Sequence, residues 1–182
     1  ISGANSYAGE VTLGSASRIN SDAGALTLSG GVTATNLNLT IGGAGDTTLS
    51  GVLGLGSGIL TKEGVGTLTL SNANTYTGLT TVSVGTLNIQ NATALGTTAG
   101  GVTVTAGAAL QLQGGIAVGA EALTLNGTGA STGGALRNVS GANSYGGAVT
   151  LGSASRINSD AGALTLSGGI TATNLNLTIG GA

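Results

Sequence analysis

The segment 1–44 returns almost unchanged as 139–182, and the two differ only at Ile1/Val139, Ala8/Gly146, Glu10/Ala148 and Val32/Ile170. A fold that holds both copies must give the same residues a stable place twice, which points to stacked repeating units rather than to one closed globular core. A weaker copy falls midway, where the run SNANTYTG at 71–78 parallels SGANSYAG at 2–9. Tyr7, Tyr76 and Tyr145 are therefore evenly spaced, since 76 − 7 and 145 − 76 both equal 69. Both ends fall inside the repeat. The chain reads as a single continuous segment, 1–182, of a longer array, with a full repeat unit at 1–138, a partial second copy at 139–182 and a half-repeat at the tyrosine spacing.

Between these landmarks apolar residues alternate with Thr, Asn or Gln: Val11/Leu13, Leu26/Leu28, Leu37/Leu39/Ile41, Leu68/Leu70, Val82/Val84, Leu87/Ile89, Val102/Val104, Leu110/Leu112 and Leu123/Leu125. Period two places each apolar pair on one face of a short strand. Clusters of Gly, Asn and Ser punctuate the strands, as turns with positive φ require, and no segment has a helical period. Equivalent pairs recur at roughly 20–25 residues, the size of one solenoid unit. The expected fold is all-β: a right-handed parallel β-helix, or β-solenoid, with about three coils in the half-repeat and about six in the full unit. Leu26, Leu28, Leu68, Leu70, Leu123 and Leu125 are expected to face the core, and Leu26 and Leu164 to occupy matching environments one repeat apart.

Composition then removes function classes. The chain has no Pro, Cys, Met, Trp, Phe or His, and only 5 % of its residues are charged. Most reactive side-chain chemistry is absent, so no catalytic residue, cofactor or metal is expected. Apolar runs are too short to span a bilayer as a helix, and three tyrosines cannot build the aromatic girdles of a membrane barrel. The net charge is −2, and the four basic residues, Arg18, Lys62, Arg137 and Arg156, are scattered. That leaves no basic footprint for nucleic acid.

The run GVGTLTL at 64–70, followed by SNANTYTG at 71–78 and Gly85-Thr86-Leu87, closely resembles the autotransporter-associated β-strand repeat, also called the passenger-associated transport repeat. The stretches GALRNVSGAN at 134–143 and RINSDAGALTL at 18–28 resemble other common segments of the same bacterial proteins. The resemblance implies a β-helical passenger, secreted or displayed on a bacterial surface. In that family the repeat is a stalk and folding unit, with no catalytic residues to carry over. Expected roles are a surface stalk, an adhesin passenger or an extracellular fibre. Partners would be neighbouring coils or like chains, and possible targets are host or environmental surfaces or polysaccharide.

Several constellations have a functional and a structural reading. Gly54-Leu55-Gly56-Ser57-Gly58 and Gly64-Val65-Gly66 lack the frame of a phosphate cradle and read as turns. Gly42-Gly43-Ala44-Gly45-Asp46 is one residue out of step with a calcium nonapeptide. The acids Glu10, Asp22, Asp46, Glu63, Glu121 and Asp160 are dispersed. Arg18 with Asp22, repeated as Arg156 with Asp160, reads as a turn-spanning surface ion pair. The thrice-used motif Asn5-Tyr7-Gly9, Asn74-Tyr76-Gly78 and Asn143-Tyr145-Gly147 reads as a turn anchor, with the ring over the core and its hydroxyl bonded, rather than as a sugar-stacking stripe. Thr33-Ala34-Thr35, Thr67-Leu68-Thr69, Thr103-Val104-Thr105 and Thr171-Ala172-Thr173 raise an ice-binding alternative, although their spacings of 34, 36 and 68 do not keep one coil period.

Overall fold

A computed structural model describes residues 3–181. Ile1 and Ser2, which open the first copy, and Ala182 lie outside the described residues. The chain winds as a β-solenoid in which the strand pairings of the described residues are parallel and the coils lay strands on three faces, the second of which is interrupted between Leu53–Gly54 and Ala117–Val118. The first face begins with Ala4–Tyr7 and continues through Ala25–Leu28, Asp46–Leu49, Thr67–Leu70, Thr86–Ile89, Ala109–Gln113 and Leu136–Ser140. The second holds Val11–Thr12, Val32–Thr33 and Leu53–Gly54 and, later, Ala117–Val118, Asn143–Tyr145 and Leu164–Leu166. Ser17–Asn20, Leu39–Gly42, Leu60–Lys62, Thr80–Val82, Val102–Val104 and Leu123–Gly127 make the third.

Alternation decides what each strand buries. Leu68, Leu87, Leu110 and Leu136 stack directly over one another on the first face, all fully buried, while Thr69, Asn88, Gln111 and Arg137 between them point outward. Each such leucine contributes about 1.5–3 kcal/mol by leaving water. Of the six leucines expected in the core, Leu28, Leu68, Leu70, Leu123 and Leu125 are buried and Leu26 is half-buried. At the corner between the third and first faces, Gly64 and Gly85 have φ of +70° and +72°, and a Cβ on Gly85 would collide with the carbonyl of Gly64 one coil below. Glycine is needed there for both reasons.

The coils are not of one length. The step from Asn5 to Leu26 is 21, from Leu68 to Leu87 only 19, from Leu87 to Leu110 it is 23, and from Leu110 to Leu136 it is 26. The longest coil takes up its excess in a loop with a single 3-10 turn at Ala130–Thr132. Six coils from Asn5 end at Leu136, and 136 − 5 = 131 falls seven short of the repeat spacing, 139 − 1 = 138. That shortfall is about a third of a turn, so the second copy is rotated by one face.

Consequently, the repeat unit holds six coils and about a third of another, in keeping with the expected number of about six, while the expectation of matching sites for Leu26 and Leu164 is corrected. Leu26 lies on the first face and Leu164 on the second. The strand Val149–Ser159 carries the chain round the corner: Val149 pairs with Leu123 on the third face, and Ile157 with Leu136 on the first. In the first copy the residue equivalent to Ile157 is Ile19, which sits on the third face.

Rotation leaves local geometry intact, because pairing within a copy moves with it. Asn5 opposes Leu26 and Asn143 opposes Leu164, both 21 apart. The turn residues Asn36 and Asn174 both have φ of +55°. Three coils do separate Tyr76 from Tyr145, but Tyr7, on the first face, is three and one third coils from Tyr76. Cysteines placed at Thr124 and Thr150, which are paired neighbours here, should form a disulfide on mild oxidation, read as a mobility shift on non-reducing gels. A cross-link formed instead between cysteines at Ala117, in the second-face strand Ala117–Val118, and Thr150 would place Thr150 on the second face and restore the six-coil register.

Candidate functional site

The repeated Asn-Tyr-Gly motif is bound into the ladder by its asparagine. Asn74 accepts from the Leu53 N–H one coil below (2.8 Å) and donates to the Ala94 carbonyl one coil above (2.6 Å). Asn143 likewise accepts from the Ile116 N–H (2.7 Å) and donates to the Ser140 carbonyl (2.8 Å). Both are buried, so each amide replaces backbone pairing at a place where the strand is interrupted. The glycines that follow, Gly78 and Gly147, leave no room for a Cβ against the carbonyls of Gly58 and Glu121. Asn5 and Tyr7 occupy the first described strand, with Ala25–Leu28 on one side, and Tyr7 is 53 % exposed, its ring folded over Gly9.

The tyrosines differ in their hydroxyls. Tyr76 and Tyr145 are both fully buried, but only Tyr76 bonds its hydroxyl, to Thr80 at 2.7 Å, while the Tyr145 hydroxyl has no protein partner. Burial raises both phenols, and the nearby Glu121 adds to the effect. Glu121 is itself 2 % exposed, with Oε1 unpartnered. Burial pushes its carboxyl up, partly offset by a backbone hydrogen bond from Gly101.

The charged residues form ladders between coils rather than the pair expected within one turn. Arg18 reaches Asp22 only through Asn20: Arg18 Nε donates to Asn20 Oδ1 (3.1 Å), and Asn20 Nδ2 donates to Asp22. The second copy repeats this relay through Arg156, Asn158 and Asp160, at 2.9 and 2.6 Å. The salt bridges cross coils instead, from Arg18 to Glu63 and from Arg137 to Asp160 (Nε–Oδ2 2.6 Å). The Arg137 hydrogen bond holds the Asp160 carboxyl below its ordinary value. Alternation every second residue puts Arg, Asn and Asp on one outward edge, so the relay follows from strand geometry.

Lys62 was not singled out by sequence. It fills an inward position between Ile41 and Val82 and is 2 % exposed. Its ammonium donates to the carbonyls of Glu63 (2.7 Å), Gly64 (2.7 Å) and Val84 (3.2 Å), closing the corner on itself and on the next coil. Burial lowers its pKa to about 8 against the opposing pull of Asp46 and Glu63. The signal was present: Lys62 stands in the alternating phase of Leu60, where an apolar residue belongs.

The Thr-x-Thr runs scatter over the faces, with Thr33 on the second, Thr67 and Thr69 on the first, and Thr103 and Thr171 on the third. A different row does align. On the third face Thr40, Thr61, Thr81, Thr103, Thr124, Thr150 and Thr171 are successive register partners, one per coil. Sequence reasoning missed this row because its spacing runs 21, 20, 22, 21, 26 and 21. The acids do not converge, and the described residues contain no cluster of three or more metal-ligating side chains.

Residues 60–89 match the model of the passenger-associated-transport-repeat family. The match covers 30 of the 182 residues, and this segment is similar to that repeat. No curated protein and no solved structure matches the chain. The transport repeat covers the shortest coil, from Leu68 to Leu87, and includes the Lys62 corner, the stacked glycines Gly64 and Gly85, the Asn74 clamp and the Tyr76–Thr80 bond. The matched residues are thus those that close one coil upon the next.

Replacing Asn74 by Ala should destabilise the solenoid by about 1–3 kcal/mol, because the Leu53 N–H and the Ala94 carbonyl lose their partner in a dry site; the midpoint of urea unfolding measures it. Glu121, whose folded value is raised, contributes stability that is fully present below its ordinary value of 4.5 and is lost as the pH rises through the raised one. Glu121→Gln should flatten that decline, read from unfolding midpoints across the acid range. An unchanged slope would remove Glu121 as its cause.

Proposed function

We propose that the chain is a structural, non-catalytic repeat region of a secreted or surface-displayed bacterial protein, acting as the stalk of an adhesin passenger or as an extracellular fibre. The match of residues 60–89 to the passenger-associated transport repeat carries this reading. Its physical support is that the side chains most tightly bound in the structure serve coil-to-coil closure: Asn74, Asn143 and Lys62 all spend their polar groups on backbone of adjoining coils. In this reading the motif residues Asn5, Tyr7, Gly9, Asn74, Tyr76, Gly78, Asn143, Tyr145 and Gly147 are structural corners. Partners are further coils or like chains, with host surfaces or polysaccharide as targets of modules the rod holds out. Nucleic acid and the bilayer are not among them, and among the described residues no helix is long and apolar enough to cross a membrane.

A second reading is end-to-end stacking of short subunits, in which the parallel ladders that join one coil to the next would continue between chains. Intact mass of the purified protein separates the two: a polypeptide many times heavier than 16.9 kDa excludes stacked short subunits. For the main reading, an impermeant amine or carboxyl label applied to intact cells of the source bacterium should modify the protein, and external protease should remove it. Protection from both reagents until the cells are lysed would overturn surface display.

A further inference from the structure

The threonine row of the third face runs uninterrupted through seven coils, and no protein group hydrogen-bonds any of its seven hydroxyls among the described residues. β-Propensity alone would fill every face alike, and it does not. The matching row of the first face changes from Thr27, Thr48 and Thr69 to Asn88, Gln111, Arg137 and Asn158, and that of the second from Thr12 and Thr33 to Gly54. The third-face row also crosses the boundary at which the repeat rotates. Thr150 and Thr171 are the second-copy counterparts of Thr12 and Thr33, which lie on the second face in the first copy. One threonine column is thereby assembled from different parts of the repeat.

We propose that this face binds the surface of ice. Parallel strands set the hydroxyls about 4.8 Å apart, so seven rungs form a rigid comb about 29 Å long. A β-branched side chain has few χ1 choices in a strand, which fixes where each hydroxyl and methyl points. The columns on either side are small or uncharged over most of their length, with Ile59, Leu79, Ala122 and Ala148 along one edge and Ser83 and Thr105 on the other; the charges at the row are Arg18, directly below Thr40, and Glu63, and these two neutralise each other in a salt bridge. A neutral, periodic array of donors, acceptors and methyls complements a neutral periodic lattice of water. It lacks the aromatic platforms that hold sugars, and the one guanidinium at its foot, Arg18, is already bonded to Glu63 rather than free for an anion. Three columns of this length cover roughly 400 Å², about half of what each partner of a stable protein pair buries, so a second copy is the poorer occupant. This inference does not rest on the passenger reading.

Freezing the intact chain slowly onto a cold finger tests it. Wild-type protein should enter the growing ice and suppress its recrystallisation. The pair Thr81→Lys with Thr103→Lys should lose both effects, whereas Thr48→Lys with Thr69→Lys on the first face should keep them. If the lysine pair fails to fold by circular dichroism, Thr81→Val with Thr103→Val, which keeps the shape and removes two hydroxyls, is expected to weaken both effects. Exclusion of the wild type from ice, equal loss from both faces, or selective loss of cellulose retention or self-association in place of ice binding would each overturn the proposal.

Discussion

Backbone pairing between successive coils is the constraint on which everything else depends. Along the third face the amide hydrogens of Leu60, Thr80, Val102, Leu123 and Val149 each bond to a carbonyl one coil on, at 2.8–3.1 Å. A parallel ladder of this kind fixes the axial spacing and leaves the length of the chain between rungs free. The molecule therefore tolerates coils as unequal as Leu68 to Leu87 and Leu110 to Leu136 without losing register on the faces. Lengthening is taken up at corners, where Gly and Asn accept positive φ, and the core stays a stack of Leu, Val and Ile.

That freedom explains how a nearly exact repeat comes to lie on different faces. Each strand with its turn makes the same demands: an inward apolar pair, an outward polar residue and a flexible corner. No face has a core so distinctive that another sequence cannot fill it. Asn5 and Asn143 keep their pairing with Leu26 and Leu164 while the pair as a whole moves from the first face to the second. Repetition in sequence is kept as a relation between neighbouring coils, not as a position around the rod.

Polar side chains within the core follow the same logic. Asn74, Asn143 and Lys62 are buried because they take the place of missing backbone partners, and each is hydrogen-bonded to main chain on more than one coil or corner. Glu121 and the Tyr145 hydroxyl depart from it, as both keep an unpartnered oxygen in a dry setting. An uncompensated buried oxygen costs stability, and the two lie close enough for the carboxyl to raise the phenol. The ionic contacts add little by comparison, since they lie on the surface where water screens them.

The sequence by itself determined the solenoid class, the inward leucines of pairs such as Leu68/Leu70 and Leu123/Leu125, and the kinship of the 60–89 segment, because period-two alternation and a long internal repeat are local and additive signals. Leu26 and Leu164 show where that legibility stops: their equivalence in sequence said nothing about their faces. Only the tertiary structure decided the coil lengths, the rotation of the second copy, the clamp geometry of Asn74, and the alignment of Thr40 through Thr171 into one row. Those depend on how much chain each corner consumes, a sum over many turns in which a small error per coil accumulates until a later strand falls on another face.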